Sequence, residues 1–224
     1  MGGVTARRLV RLFPLPNVVL FPGTTVPLHV FEPRYRAMLS EALESDRLIG
    51  MQLLRPDGPG AGGRDVFEIG CAGEVVHHEP LEDGRSNILL RGTFRYRIER
   101  EQTTDTPWRV AEVTPLPVEP LPPAGRGGRG PAELRRLLSG SVRRLADAAG
   151  RPGARELGRN LSDEALVNEA ASRLGLDAEE SYRLLTMDRL EERYAWVLAY
   201  IEGVQRRLDF LGPYRLPDAD PRWN

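Results

Sequence analysis

The segment Phe13-Pro14-Leu15-Pro16-Asn17-Val18-Val19-Leu20-Phe21-Pro22-Gly23, continuing after Thr24-Thr25-Val26 as Pro27-Leu28-His29-Val30-Phe31-Glu32-Pro33-Arg34-Tyr35-Arg36, decides how the chain is read. Leu9 to Phe13 reads as a strand. Pro14, Pro16, Pro22 and Pro27 then divide the apolar stretch into short extended pieces, because proline lacks the N–H that a helix interior or central strand requires. A continuous helix is excluded there. At Phe31-Glu32-Pro33 the pattern changes: Pro33 suits a first helical position, and Tyr35, Met38, Leu39, Ala42 and Leu43 recur at three-to-four spacing. That stripe predicts a helix lying on a sheet.

Downstream, Leu48 to Leu54 is an apolar run of strand length, followed by a glycine-rich loop from Pro56 to Gly63. Phe67 to Glu79 and Ser86 to Arg91 read as strands joined through Asp83-Gly84, a hairpin signal. Phe94, Tyr96 and Ile98 alternate with Arg95, Arg97 and Glu99, which predicts one apolar and one charged face. Trp108 to Val113 adds a further strand. Several short strands with one helix imply an α+β domain over residues 1–116. Residues 117–130 are dense in proline and glycine and read as a linker. Helical periodicity then fills residues 131–212, and a tail follows over 213–224. Ser162 is placed as an N-cap with Leu161 and Leu166 as a staple, and Asp177/Glu180 and Asp188/Glu191 have capping-box spacing.

The 31 basic residues are all arginine and are balanced by 32 acids, for a net charge of -1. That balance gives no general attraction to nucleic acid or an anionic membrane. One cysteine, Cys71, allows no internal disulfide. No apolar run reaches the ~20 residues of a membrane span, so the sequence implies a cytoplasmic protein.

The Phe13–Gly23 and Pro27–Arg36 stretches, with Ile69-Gly70-Cys71-Ala72-Gly73 and Gly84-Arg85-Ser86-Asn87-Ile88-Leu89-Leu90-Arg91-Gly92, resemble the N-terminal substrate-binding domain of Lon proteases. The resemblance implies a PUA-like, curved β pseudo-barrel followed by an α-helical bundle, in a region that helps to recognise unfolded or tagged proteins. It resembles in particular the free-standing Lon-domain proteins, which lack the ATPase and the Ser-Lys protease. No Gly-x-x-x-x-Gly-Lys-Ser/Thr loop occurs in these 224 residues, and without lysine a Ser-Lys dyad cannot be built.

No catalytic residue, metal set or cofactor is therefore expected. Cys71 in an apolar strand reads as a small buried hydrophobe. Neighbouring His77 and His78 point to opposite faces of a strand. Arg91, Arg95, Arg97 and Arg100 form an interrupted stripe that reads as a solvated face. Large apolar side chains are normally buried, which assigns Phe21 and Phe31 to the core and leaves Glu32 to pair with an arginine at the turn. The sharper alternative makes Phe21, Pro22, His29, Phe31, Glu32, Arg34 and Tyr35 the wall of an apolar groove that accepts an extended peptide by strand addition. The expected function is non-catalytic binding of polypeptides. The alternatives are an adaptor docking on a separate ATP-dependent protease, or RNA binding through the PUA-like domain.

Overall fold

Proline sets where the first strands stop, as the sequence pattern requires. β1 (Arg8–Leu15) ends before Pro16, β2 (Thr25–Val30) follows the Pro22-Gly23 turn, and α1 (Pro33–Glu44) starts on Pro33. β3 (Leu48–Leu53), β4 (Ile69–Pro80), β5 (Ser86–Gln102) and β6 (Arg109–Pro115) complete the sheet. The helices α2 (Pro131–Ala148), α3 (Asp163–Ser172), α4 (Ala178–Thr186) and α5 (Leu190–Leu211) follow. This is a computed structural model, and it describes residues 6–58, 65–122, 131–148, 157 and 161–211. Much of the Pro56–Gly63 loop, the Gly125–Gly130 run and the tail beyond 212 lie outside the described residues.

The α+β class is as expected, with one mixed six-stranded sheet. Its order is β2-β5-β4-β3-β1-β6, with a further β5–β6 pairing. Among the described strands only β1 and β3 pair in parallel, and α1 lies on the chain between β2 and β3. The β5–β6 pairing closes β1, β3, β4, β5 and β6 into a ring, and β2 flanks the outside of β5. β5 serves both parts because it is one 17-residue strand rather than the two the sequence suggests. Its register against β4 shifts at Gly92–Thr93, where one extra residue bends the strand.

Alternation sorts the side chains into two apolar clusters. Val10, Leu12, Ala72, Tyr96, Ile98, Ala111 and Val113 fill the ring. Phe13, from the opposite face of β1, packs on Tyr35 of α1 with ring centroids 4.4 Å apart. That contact belongs to a larger cluster running from α1 through Val30, Ile88 and Leu90 to Leu138, Leu166, Leu184, Tyr194 and Ile201 of the helices. The β-rich part and the helices thus share one core.

Two buried arginines lie at this junction. Arg95, expected on a charged solvated face, is 1% exposed. Its Nη1 donates to the carbonyls of Leu185 (2.8 Å) and Met187 (3.1 Å), and its Nη2 donates to Pro117 O (2.9 Å) and Asp188 Oδ1 (3.0 Å). The expectation failed because a guanidinium fork can satisfy several loop carbonyls at once, which makes it the one cation suited to such a place. Asp188, read as a capping residue, is engaged here, and α5 starts two residues later. Arg193 of α5 donates from Nε to the same Met187 carbonyl (2.8 Å) and from Nη1 to Glu164 (3.1 Å). Burial and the neighbouring Arg95 charge lower its pKa to about 10. Asn168, also buried, donates to Pro22 O (3.0 Å) and so ties α3 to the loop before β2. The Ser162 cap on Ala165 N–H (3.1 Å) and the Asp177/Glu180 capping box form as their spacing predicts.

Burial raises the pKa of five tyrosines: Tyr35, Tyr96, Tyr182, Tyr194 and Tyr200. Tyr96, inside the ring, donates its hydroxyl proton to Gln52 Oε1 (2.9 Å). A raised folded-state pKa contributes stability that is present below the unfolded tyrosine value and lost as the pH climbs above it. Arg193 acts in the opposite sense, since its burial penalty is relieved once the pH passes about 10. Five tyrosines outweigh one arginine. The thermal midpoint at about pH 11 is expected to lie below that at about pH 8, with tyrosinate absorbance rising together with unfolding. A higher midpoint at the alkaline pH would contradict this.

Candidate peptide-binding face

β2, the first half of β5 and the second half of β4 form a three-stranded extension with one face on the core and one facing outward. Register puts Pro27, Leu89 and His77 in one outward row and His29, Asn87 and Glu79 in the next. Phe31, one residue beyond β2, continues the same face and is 58% exposed. This corrects its assignment to the core. The period of two explains the reversal: Val30 points inward and is 1% exposed, so Phe31 must point out. Leu89 and Val76 are also exposed apolar residues, and Val76 sits at a β4 bulge.

The seven residues singled out in the sequence separate into two groups. Phe21, Pro22 and Tyr35 are buried, as the packing alternative holds. His29, Phe31, Glu32 and Arg34 reach the surface. Arg34 donates from Nε to Glu32 Oε2 (3.0 Å) and stacks over the Tyr35 ring, so the expected turn-locking pair is present. His29 and Phe31 stack with centroids 6.1 Å apart.

A chain of hydrogen bonds crosses the face. Arg85 Nη1 lies 3.4 Å from His29 Nε2, His29 Nδ1 lies 2.8 Å from Asn87 Oδ1, and Asn87 Nδ2 donates to Glu79 (3.0 Å). An arginine can only donate, so His29 turns Nε2 to Arg85 as acceptor and Nδ1 to Asn87 Oδ1. Arg85 also donates to Asp83 Oδ2 (2.6 Å), and this hydrogen bond holds the Asp83 carboxyl at about 2. The face therefore carries Pro27, Leu89 and Val76 at one end and Phe31 at the other, with the ordered polar row of His29, Asn87 and Glu79 between them. Leu89, Asn87, Arg85 and Glu79 were missed in the sequence. The Ile88-Leu89-Leu90 run looks buried on both sides, and only strand pairing shows that Leu89 is not.

The outer edge of β2 pairs with no strand among the described residues. Gly92 N–H donates to Thr24 O (2.9 Å), and from there the antiparallel alternation turns the backbone groups of Thr25, Pro27 and His29 outward. Pro27 thus interrupts the open edge with a residue that has no N–H, a common guard against unwanted strand pairing.

The other candidates take structural positions. Cys71 is fully buried, and burial pushes its thiol far above the usual range. His77 is exposed, while His78 bonds Ser86 Oγ (3.1 Å). The arginine stripe is broken by the burial of Arg95 and by pairing of Arg91 with Glu74 and Arg100 with Glu112. No helix among the described residues is long and apolar enough to cross a membrane.

Known proteins agree with this architecture. The N-terminal domain of a Mycobacterium avium complex Lon protease superposes with a TM-score of 0.62 at 17% identity, over 87% of this chain and 98% of that one. A Lon N-terminal domain protein from Xanthomonas campestris gives 0.60 at 25% identity, over 86% and 98%. Among curated relatives, Lon protease 4 of Sorangium cellulosum is 31% identical, covering 86% of this chain and 23% of its own length. Lon protease of Cytophaga hutchinsonii is 24% identical, covering 85% and 24%. The chain spans about a quarter of the length of these relatives. A family model described as the ATP-dependent protease La (LON) substrate-binding domain matches residues 10–203, and the chain belongs to that family.

Proposed function

We propose that the protein binds polypeptide segments non-covalently on the outer face around Phe31, without cleaving them. The observation that carries this reading is Phe31 itself, a large aromatic side chain 58% exposed at the end of an open-edged sheet, stacked on His29 and two rows along the same face from exposed Leu89. Exposed apolar side chains spaced by fixed polar groups suit peptide contacts. Membership of a substrate-binding family supports the same choice of ligand. Pro27 disfavours simple strand addition, so a peptide lies across the face, with main-chain bonds at Thr25 and His29. The closed ring of strands supports the PUA-like description, and the helices buttress it through the shared core.

Phe31→Asp tests the reading. Phe31 lies outside the core, so the thermal midpoint should stay close to the parent value while affinity for an unfolded, apolar-rich model polypeptide falls by about tenfold or more. Isothermal titration or fluorescence anisotropy reads the change. Equal affinity of parent and variant would remove the face from consideration.

A further inference from the structure

A groove of about 530 Å³ lies between α1 and the β4–β5 hairpin, at the inner-face end of the same three strands. Leu39, Leu43, Pro33 and Pro80 give it apolar walls. His78 and Ser86 lie in its floor and are hydrogen-bonded to each other. Two arginines line it. Arg85 is already neutralised by Asp83. Arg36 is exposed, its guanidinium lies against Gly84 of the hairpin turn, and it has no carboxylate partner among the described residues. The groove therefore offers apolar walls and a single uncompensated cation. A polyanion would ask for several such cations; one carboxylate beside an apolar side chain matches what is there.

The groove is also continuous with the Phe31 face. Arg85 lines the groove and reaches His29 on the outer face. Arg85 is thus shared by the face and the groove, and Arg36 lies against Gly84, the residue before Arg85.

Resting on the polypeptide-binding reading above, we infer that this groove is a specificity subsite for an acidic residue of the bound polypeptide. The carboxylate sits on Arg36 and the adjoining apolar side chain between Leu39, Leu43 and Pro80. The groove selects acidic over basic positions next to an apolar anchor, a preference that the Phe31 face alone does not supply.

Three labelled peptides identical except for Asp, Asn or Lys beside one apolar anchor test this by fluorescence anisotropy. The parent protein should bind the Asp peptide about fivefold more tightly than the Lys peptide, the scale of an exposed ion pair exchanged for repulsion. Arg36→Glu should reverse that order. Ala37→Trp, which fills the groove without changing charge, should abolish the discrimination while leaving Phe31-dependent binding in place. Both positions are exposed, and circular dichroism should show an unchanged fold. Equal affinity for all three peptides in the parent overturns the subsite and leaves the Phe31 face standing. Binding of none of them overturns both. Binding of single-stranded RNA in preference to the Asp peptide overturns the acidic-residue assignment.

Discussion

Replacing Arg95 by methionine should destabilise the protein by about 3–5 kcal/mol, the usual consequence of removing one side of a buried charged network. Methionine keeps much of the volume, so the loss is polar rather than a cavity. The carbonyls of Pro117 and Leu185 lose the donors that Arg95 supplies, while Met187 O keeps its bond from Arg193 Nε. Each unsatisfied buried acceptor costs about 1–3 kcal/mol. Asp188 contributes little to the loss because its side chain is 56% exposed and regains water. Calorimetry should show the thermal midpoint lowered by about 10 °C. Hydrogen exchange should show the segment from Met187 to Leu190 opening first, since Arg95 clamps the α4–α5 junction to the strand ring. Arg97→Met, two residues along the same outer face but exposed, should stay within about 0.5 kcal/mol of the parent. A stability for Arg95→Met within about 1 kcal/mol of the parent would show that the carbonyls find other donors.

Gly92→Ala is expected to cost about 3 kcal/mol or more, a large value for one methyl group. A Cβ at this position would run into the Phe21 carbonyl. Neither side can retreat. Gly92 donates to Thr24 O and accepts from Gly23 N, both at 2.9 Å, and the adjoining Pro22 carbonyl is held by buried Asn168 of α3. Phe21 itself is 3% exposed in the main core. Any shift of this loop therefore disturbs the β5 bend, the core and the seat of α3 together. Gly140→Ala provides the opposite sign: it lies inside α2, its added Cβ meets only Arg144 at 3.5 Å, and it should gain up to about 1 kcal/mol of helix propensity. Urea unfolding of both variants would separate the two cases, and a neutral Gly92→Ala would show that the Phe21 loop can move.

Local rules were enough wherever one segment answers to its own chemistry. Prolines fixed the ends of β1 and the start of α1, the stripe Tyr35-Met38-Leu39-Ala42 named the buried face of that helix, and Ser162 and Asp177 marked the starts of α3 and α4. The Phe13–Arg36 segment was enough to point to the family. Whether a given side chain of that segment faces core or solvent depended on partners distant in sequence. Phe21 and Phe31 look alike in the chain. One is buried because β5 and α3 close over its loop, and the other is exposed because β2 ends one residue earlier and none of the described residues covers the outer face there.

Arg95 shows the same division more sharply. Its alternation with Phe94 and Tyr96 placed it correctly on the face opposite the ring interior. The sequence by itself determined the family and most of the strands and helices, though not that β5 is one continuous strand. Only the tertiary structure decided that helices cover one stretch of that outer face, turning a charge expected in water into the buried link between strands and helices. Periodicity along a strand records which residues share a side; what later packs on that side is set by chain segments about 90 residues away, through interactions that no local pattern encodes.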